Sequence, residues 1–351
     1  MHSTLTPTSI DVVIPSYNSQ STIEQCLHGL TEAIDRSVSD RLCSDVRIYI
    51  VDDGSTDSSP AFIESFINTS NYPITLIKQK QTGPSGARNS GTQAGTAPWV
   101  LYMDSDVEPH EHALSTLLNL HHQYPDCLAI NGHPQHYISD GDWITQYTNL
   151  SLCYQLTQHG SKVNTAFTSL CLMSREGWMA MGGWDTSRTS RYSDDIQSRW
   201  HFPPRSIAQC FDGLFIHHKH VRFIGLMKHR FNLGLHFRSS ISKDTLFTNS
   251  SITLHWRYPV NVICALFSLI LIVASLLHPN LWSLNIFWWI PLITVNIPLL
   301  RFIRASKEER FTTPFHLISI FGLSYCEGGA MGLGLVYSLC TEPFARRFHD
   351  S

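Results

Sequence analysis

Two aspartates one residue apart, Asp104 and Asp106, have the residue type and spacing of paired hard oxygen ligands. They follow the apolar run Pro98-Trp-Val-Leu-Tyr-Met103, which predicts a buried strand ending at the carboxylates. Ligands of open α/β sheets bind at the carboxyl ends of strands, and oxygen ligands there suit Mg²⁺ or Mn²⁺ carrying a substrate phosphate. Alone, the pair fits a solvated turn with a helix cap equally well. The residues at the ends of the other predicted strands are needed to distinguish a metal site from such a turn.

The elements before this strand predict a sheet that brings several polar clusters together. Apolar and β-branched runs predict strands at 10–14, 47–51 and 74–77, helical patterns begin near 21 and 59, and a small-residue helix is expected around 87–89. The spacing of Ser21-Thr-Ile-Glu24 predicts a capping box at the first helix. Alternating strands and helices predict an α/β fold with a mostly parallel, doubly wound sheet. The polar residues after 14, 51 and 103 should therefore converge on one edge.

Several function classes are disfavoured by what the chain lacks. The Gly-x-Gly-x-x-Gly fingerprint and the Walker A loop are missing, which argues against a dehydrogenase or a P-loop enzyme. With 25 basic and 28 acidic residues the net charge is −3, which predicts no nucleic-acid partner. Nine cysteines without a Cys-x-x-Cys pair predict reduced, mostly buried thiols. Phosphates would then be bound by a metal and side chains.

Four motifs follow one another along the chain: Val13-Ile-Pro-Ser-Tyr17-Asn18, Val51-Asp-Asp-Gly-Ser-Thr-Asp57, Gly86-Ala-Arg88-Asn89-Ser-Gly91 and Asp104-Ser-Asp106. In this order they resemble the motifs of family 2 glycosyltransferases with the GT-A fold. Gly182-Gly-Trp-Asp185 and Ser193-Asp194-Asp195 extend the resemblance to about residue 200, although the family commonly has Glu at the position of Asp194.

The resemblance implies a role for each matching residue. Pro15, Tyr17 and Asp52 would hold the nucleoside of a sugar nucleotide. Asp53 and Arg88 would lie near its ribose or diphosphate. Asp104 and Asp106 would ligate Mg²⁺ or Mn²⁺ directly or through water, and Asp195, beside Asp194, would be the catalytic base. Without the family match, Asp194 and Asp195 could simply charge the start of a helix.

A basic stretch follows these motifs. From Gly213 to Lys243 there is no acid, but there are five histidines and six basic residues, Lys219, Arg222, Lys228, Arg230, Arg238 and Lys243. Such positive charge predicts an anionic ligand, either the leaving diphosphate, through Lys219 and Arg222, or anionic lipid headgroups. His218 or His220 is a candidate to complete the metal shell, as a histidine after the base does in some relatives.

The last hundred residues predict a membrane region. Val260–His278 and Leu281–Leu300 contain no charged residue, and each is long enough to span a bilayer as a helix. The basic loop after them, 301–310, predicts a cytoplasmic location for itself and for the catalytic domain. Residues 314–340 are apolar but contain Glu327 and five glycines, which fits a third span, a re-entrant segment or an interfacial helix. A buried hairpin of a soluble protein is the alternative for 260–300.

These expectations combine into one organisation. A GT-A catalytic domain would cover 1–240, with a nucleotide-sugar half to about 108 and an acceptor and base half from 109. A juxtamembrane linker at 241–258, a membrane region of two or three helices at 259–340 and a polar tail at 341–351 would follow. No signal peptide is expected at the N-terminus.

The resemblance implies an inverting glycosyltransferase, and the membrane region places it in the cell membrane. It would use a nucleotide sugar, in the first instance of UDP, and a glycan or lipid-linked acceptor, with its catalytic domain facing the cytoplasm. The chain lacks a clear Gln-x-x-Arg-Trp, which weakly favours transfer of one sugar over processive synthesis. A non-catalytic sugar-nucleotide-binding subunit and a sugar-phosphate nucleotidyltransferase are the alternatives. The second should carry a basic, glycine-rich loop after the first strand, and residues 15–20 contain neither residue type.

Overall fold

The computed structural model describes residues 7–136, 138, 141–158, 160–186, 201–241, 257–306 and 314–349. Nine strands of this part of the chain form one sheet. They are β1 (Thr8–Ser16), β2 (Cys43–Asp52), β3 (Ile74–Lys78), β4 (Trp99–Met103), β5 (Val107–Pro109), β6 (Ala129–Pro134), β7 (Lys162–Val163), β8 (Leu170–Ser174) and β9 (Ile207–His217). The four predicted strands are present, and β1 and β2 are longer than predicted.

The strand order is β3-β2-β1-β4-β8-β6-β9-β5, with β7 beside β9. β1 pairs in parallel with β2 and β4, and β2 in parallel with β3. β8 is antiparallel to both β4 and β6, whereas β6 and β9 are parallel. Six of the nine strands therefore run in one direction, which confirms the mostly parallel α/β sheet. The carboxyl ends of β1, β2, β4 and β9 lie at the same edge.

Six helices accompany the strands up to residue 180. They are α1 (Ile23–Ser39), α2 (Ser59–Ile67), α3 (Pro84–Ala94), α4 (Ala113–Gln123), α5 (Trp143–Thr157) and α6 (Arg175–Ala180). The predicted apolar face of α1 is buried. The predicted capping box is wrong, because Thr22 is the N-cap residue and its side chain makes no cap hydrogen bond. Its hydroxyl instead donates to the carbonyl oxygen of Ser105 (2.9 Å), between the two aspartates.

Contacts divide the chain into two compact units. The first comprises residues 1–138 and 156–219 and contains the sheet. The second comprises residues 139–155 and 220–351, and its described part is helical. Besides most of α5 it contains α7 (Phe223–Ile241), α8 (Arg257–Ser275), a 3₁₀ helix (Pro279–Asn285), α9 (Ile286–Ala305) and α10 (Pro314–His349). A helix from the middle of the predicted catalytic domain thus belongs to the second unit.

One buried ion pair lies inside the second unit. The Arg230 guanidinium of α7 contacts the Glu327 carboxylate of α10 through Nε (2.8 Å) and Nη2 (2.7 Å). The hydroxyl of Tyr147 on α5 donates to the same carboxylate (2.7 Å), which is only 2% exposed. One member of the predicted basic stretch is therefore neutralised inside the protein.

Glycines of α10 allow close helix packing, as residues 314–340 predicted. A Cβ added at Gly334 would lie 2.0 Å from the carbonyl oxygen of Phe231 on α7. One added at Gly328 would lie 2.5 Å from the carbonyl oxygen of Asn261 on α8. Any larger residue would push these helices apart, so the glycines set the helix spacing.

Helices α8 and α9 present apolar side chains to their surroundings. Leu276 and Leu277, between them, are each 80% exposed, and Ile286 and Phe287 are 64% and 63% exposed. Of the described helices, residues 279–305 alone are both long and apolar enough to cross a membrane, while 259–275 are apolar but shorter. The span expected at 281–300 therefore has a helix of sufficient length, whereas the spans expected at 260–278 and 314–340 stay predictions. The eight cysteines with described side chains are free thiols, as predicted.

Candidate functional site

Asp104 and Asp106 lie in the tight connection between β4 and β5, at the carboxyl edge of the parallel strands. The amide of Val107 donates to the carbonyl of Asp104 (3.2 Å), and β5 pairs with the end of β9. The loop therefore lies between β4 and β9, so each carboxylate can meet residues from distant parts of the sequence.

Asp104 is held by two side chains. The Arg88 guanidinium of α3 donates to Oδ1 (2.7 Å), and the Ser169 hydroxyl donates to Oδ2 (2.9 Å). Arg88 is only 4% exposed. A charge-assisted hydrogen bond at low exposure fixes this carboxylate strongly. Arg88 was predicted at the site, but Ser169 was not.

Asp106 meets a different partner, His217 at the end of β9. Its Oδ1 lies 3.2 Å from Nε2 of His217. Burial raises the pKa of the Asp106 carboxyl, but His217 and then Lys219 outweigh burial and hold that pKa well below its usual value. Asp106 is therefore ionised at neutral pH. Its side chain keeps 33% exposure, so a ligand can reach it.

His217 was not predicted, whereas His218 and His220 were. The His218 ring contacts the Glu108 carboxylate of β5 instead of either aspartate. His220 is exposed and begins the second unit. The sequence pattern did not predict strand β9, whose middle segment Phe211-Asp-Gly213 is exposed and breaks the apolar run.

The two aspartates after β2 use their oxygens differently. Asp52 accepts from the amide of Ser55 through Oδ1 (3.1 Å). Asp53 is 3% exposed, and both of its oxygens accept from the loop before α3. Only Asp52 therefore keeps a carboxylate oxygen with no protein donor among the described residues.

Pro15 lies near the end of β1, and Tyr17, which is 40% exposed, directly follows that strand. The next residue, Asn18, has a φ of +50°. Its side-chain Oδ1 accepts from the Thr56 amide (2.8 Å), and its own amide donates to the Ser55 hydroxyl (3.0 Å). The β1 and β2 loops are therefore joined, as the predicted convergence requires.

Asn89 connects two of the predicted motifs. Its Nδ2 donates to the Trp184 carbonyl (2.7 Å), and its Oδ1 accepts from the Trp184 amide (2.8 Å). Gly182 and Gly183, with φ of +72° and +80°, allow this turn. The Trp184 ring then packs against Tyr102 of β4 with centroids 5.3 Å apart. The Gly-Gly-Trp-Asp segment is thereby fixed beside α3.

Of the remaining candidates, Lys219 acts on this edge, because its charge lowers the pKa of the Asp106 carboxyl. Asp194 and Asp195, the expected base and its neighbour, lie outside the described part of the chain, as does Lys243. Lys219 is exposed and lies at the end of the first unit, and Arg222 is exposed in the second unit. Among the described residues no group of three or more His, Cys, Asp or Glu side chains is placed to hold a metal.

Comparisons with known proteins agree with the motifs. Residues 11–176 match the family described as glycosyl transferase family 2. The minor teichoic acid biosynthesis protein GgaA of Bacillus subtilis is 30% identical over 108 residues, 30% of this chain and 23% of that protein. Glycosyltransferase GlyG of Streptococcus pneumoniae is 24% identical over 146 residues, 42% of this chain and 46% of that protein. The chain thus spans less than half the length of these relatives.

A solved structure shares the fold. Mannosyltransferase PcManGT from Pyrobaculum calidifontis, determined in complex with GDP-Man and Mn²⁺, matches with a TM-score of 0.53 at 16% sequence identity. The match covers 96% of this chain and 88% of that chain. At this identity the likeness concerns the fold alone.

Proposed function

We propose that the protein is an inverting glycosyltransferase, because residues 11–176 match glycosyl transferase family 2. It moves a sugar from a nucleoside diphosphate, UDP in the first instance, to an acceptor. One observation carries the proposal: the Asp106–His217 contact and the Arg88–Asp104 contact lie at the same sheet edge as Asp52. That edge therefore offers carboxylates, an imidazole and a buried guanidinium to one ligand.

The donor's two halves are assigned to different residues. Pro15, Tyr17 and Asp52 hold the nucleoside, because an exposed ring and a carboxylate oxygen can stack on a base and accept from it. Arg88 and Lys219 attract the diphosphate through their positive charges. Arg222 belongs to the second unit, and its contact with the diphosphate stays a prediction from the sequence.

The residues at the edge fit a divalent cation. Carboxylate oxygens suit Mg²⁺, and Mn²⁺ also accepts an imidazole nitrogen. Asp106, with Asp104 beside it, would hold the ion directly or through water, and His217 is better placed at Asp106 than His218. Mg²⁺ in proteins is commonly bound by one or two carboxylates plus substrate phosphates, so a larger protein cluster is not needed. When bound, the ion would neutralise charge on the departing diphosphate.

The proposed reaction is a direct displacement. The acceptor hydroxyl oxygen attacks the anomeric carbon, the bond from that carbon to the diphosphate oxygen breaks, and the configuration inverts. Asp195 takes the hydroxyl proton, and Arg88 and Lys219 face the negative charge that leaves with the nucleoside diphosphate. The assignment of Asp195 rests on the motif it shares with the family, with Asp194 as its acidic neighbour.

The acceptor is proposed to be an envelope glycan or a lipid-linked one. Two observations support this: the exposed apolar surface of α8 and α9, and the relative whose name places it in teichoic acid biosynthesis. The same apolar surface supports attachment to the cell membrane. The cytoplasmic orientation rests on the basic loop at 301–310.

The full chain in detergent, incubated with UDP-sugars and GDP-mannose and either Mn²⁺ or Mg²⁺, tests the proposal. We expect release of the nucleotide from one donor and its loss without the ion. Asp195→Asn should keep nucleotide binding and lose transfer. Metal-dependent nucleotide binding without turnover of any donor would support the non-catalytic subunit instead, and near wild-type transfer by Asp195→Asn would exclude Asp195 as the base.

A further inference from the structure

Both carboxylate oxygens of Asp53 accept hydrogen bonds from within the protein. Its Oδ1 accepts from the Thr82 amide (2.8 Å) and from Nε2 of Gln79 (2.7 Å). Its Oδ2 accepts from the Gly83 amide (2.8 Å). At 3% exposure these are buried charge-assisted hydrogen bonds, which are among the stronger ones in proteins. The carboxylate is thus directed into the protein, toward the segment that starts α3.

The start of α3 depends on this carboxylate. Gly83 is the N-cap residue, with a φ of +85° and no side chain to cap the helix, and Pro84 follows it. Instead, Asp53, thirty residues away in sequence from Gly83, accepts hydrogen bonds from the backbone amides of Gly83 and Thr82. Gln79, which donates to Asp53, also accepts from the Ser90 hydroxyl (2.6 Å), in the second turn of α3. The helix start and its first turns are therefore fixed to the end of β2.

The position of α3 in turn determines the position of Arg88. This residue lies on the second turn of α3 and is the partner of Asp104 (2.7 Å). Asp52 differs from Asp53 here, because its only described donor is the Ser55 amide in its own loop. Two adjacent aspartates thus act on different parts of the site.

We propose that Asp53 is a positioning residue that fixes the start of α3 and, through Arg88, the Asp104 carboxylate at the diphosphate end of the site. The proposal rests on the proposed function only in naming the diphosphate. It assigns nucleoside contact to Asp52 and not to Asp53, although the sequence motif offers both.

The test compares two isosteric variants of the full chain, Asp53→Asn and Asp52→Asn. Binding of UDP with Mn²⁺ and of uridine is measured for each, with GDP and guanosine as the second pair. Asp53→Asn should weaken UDP binding at least about tenfold and uridine binding less than about twofold, because the loss of the Asp53 charge acts through Arg88 at the diphosphate end. Asp52→Asn should weaken both ligands. Equal weakening of both ligands by Asp53→Asn would mean direct nucleoside contact and would overturn the proposal.

A double variant tests the route through Arg88. If Asp53 acts through that side chain, Asp53→Asn combined with Arg88→Lys should bind UDP no worse than the weaker single variant. Additive losses would show that the two residues act independently, which contradicts the proposal.

Amide hydrogen exchange decides the matter without any nucleotide. Asp53→Asn should speed exchange at residues 82–90 about tenfold or more, whereas Asp52→Asn should leave that segment unchanged. Unchanged exchange at 82–90 in Asp53→Asn would refute the positioning role. If the unsubstituted chain binds neither nucleotide, the proposed function fails, while the exchange result still supports or refutes the role of Asp53.

Discussion

Asp104 and Asp106 are two positions apart but have different chemical environments. Arg88 and Ser169 occupy both oxygens of Asp104, whereas Asp106 is shared with one imidazole and is partly exposed. The second aspartate is therefore better placed to contact a cation directly, and the first to contact it through water or to orient the site.

At the residue scale, Asp106→Asn should abolish the metal-dependent part of nucleotide binding. The amide keeps the shape but removes the negative charge that a hard cation requires. We expect at least a hundredfold loss of transfer, about 3 kcal/mol of transition-state stabilisation. Titration of UDP with and without Mn²⁺ measures the binding part. Asp126→Asn, at an exposed aspartate before β6, is the matched control, and equal effects of the two substitutions would argue against a site at Asp106.

The sequence predicted residues that stand at the ends of recognisable strands, such as Asp52 and Asp104. It did not predict Ser169 and His217, which reach the site from β8 and β9. β8 pairs antiparallel with β4, and β9 pairs antiparallel with β5, although the paired strands are far apart in sequence. No local sequence pattern encodes these pairings. Partners contributed from far along the chain depend on tertiary structure, so their residue types alone carry little signal.

At the element scale, the Arg230–Glu327 pair should be essential to the packing of α7 against α10. Arg230→Met or Glu327→Gln leaves one buried charge without its main partner, which we expect to cost about 3–5 kcal/mol. The double variant Arg230→Met with Glu327→Leu should recover most of that loss, because no buried charge remains. Thermal unfolding of the full chain in detergent measures the three variants.

A surface pair provides the control for this prediction. Lys78 and Glu64 approach to 2.7 Å, but both side chains are more than half exposed. Glu64→Gln should therefore change stability by less than about 1 kcal/mol. If the single variants of the buried pair unfold at the same temperature as Glu64→Gln, the buried pair contributes nothing to the packing of these helices.

His133 of β6 should make the sheet unit less stable in acid. Burial lowers the pKa of this imidazole from 6.5 to about 4, against a smaller upward effect of its hydrogen bond to Gln209 (3.0 Å). Between these pH values the unfolded chain binds a proton that the folded chain does not, so the free energy of unfolding falls as pH falls. The full effect is about 3 kcal/mol.

The pH dependence of urea unfolding measures this contribution. His133→Gln should flatten the dependence between pH 6.5 and 4, whereas His112→Gln, at an exposed histidine, should leave it unchanged. The same acid sensitivity in His133→Gln as in the unsubstituted chain would contradict the assignment.

The elements that the sequence predicted correctly are those with a clear local sequence pattern. The parallel strands β1 to β4 are apolar runs that end at turns, and the face of α1 is strictly periodic, so both were predicted correctly. The capping box at Ser21-Thr-Ile-Glu24 has equally good spacing, yet the Thr22 hydroxyl bonds to Ser105. The Thr22 hydroxyl donates to a carbonyl 83 residues away in sequence, and no local pattern reveals such a contact.

At the scale of the whole molecule, the exposed apolar surface predicts how the chain meets a membrane. If α8 and α9 both cross it, the turn between them lies on the side opposite to the basic loop at 301–310. Leu277→Cys, at an 80% exposed position in that turn, should react with a membrane-impermeant maleimide in intact cells.

Val38→Cys, a 43% exposed position in the sheet unit, should react only after the cells are permeabilised. The unsubstituted chain gives the background, because seven of its eight described cysteines are buried and the eighth is half-buried. Labelling of Leu277→Cys only after permeabilisation would mean that the turn stays on the cytoplasmic side or within the bilayer, and a two-span anchor would then be ruled out.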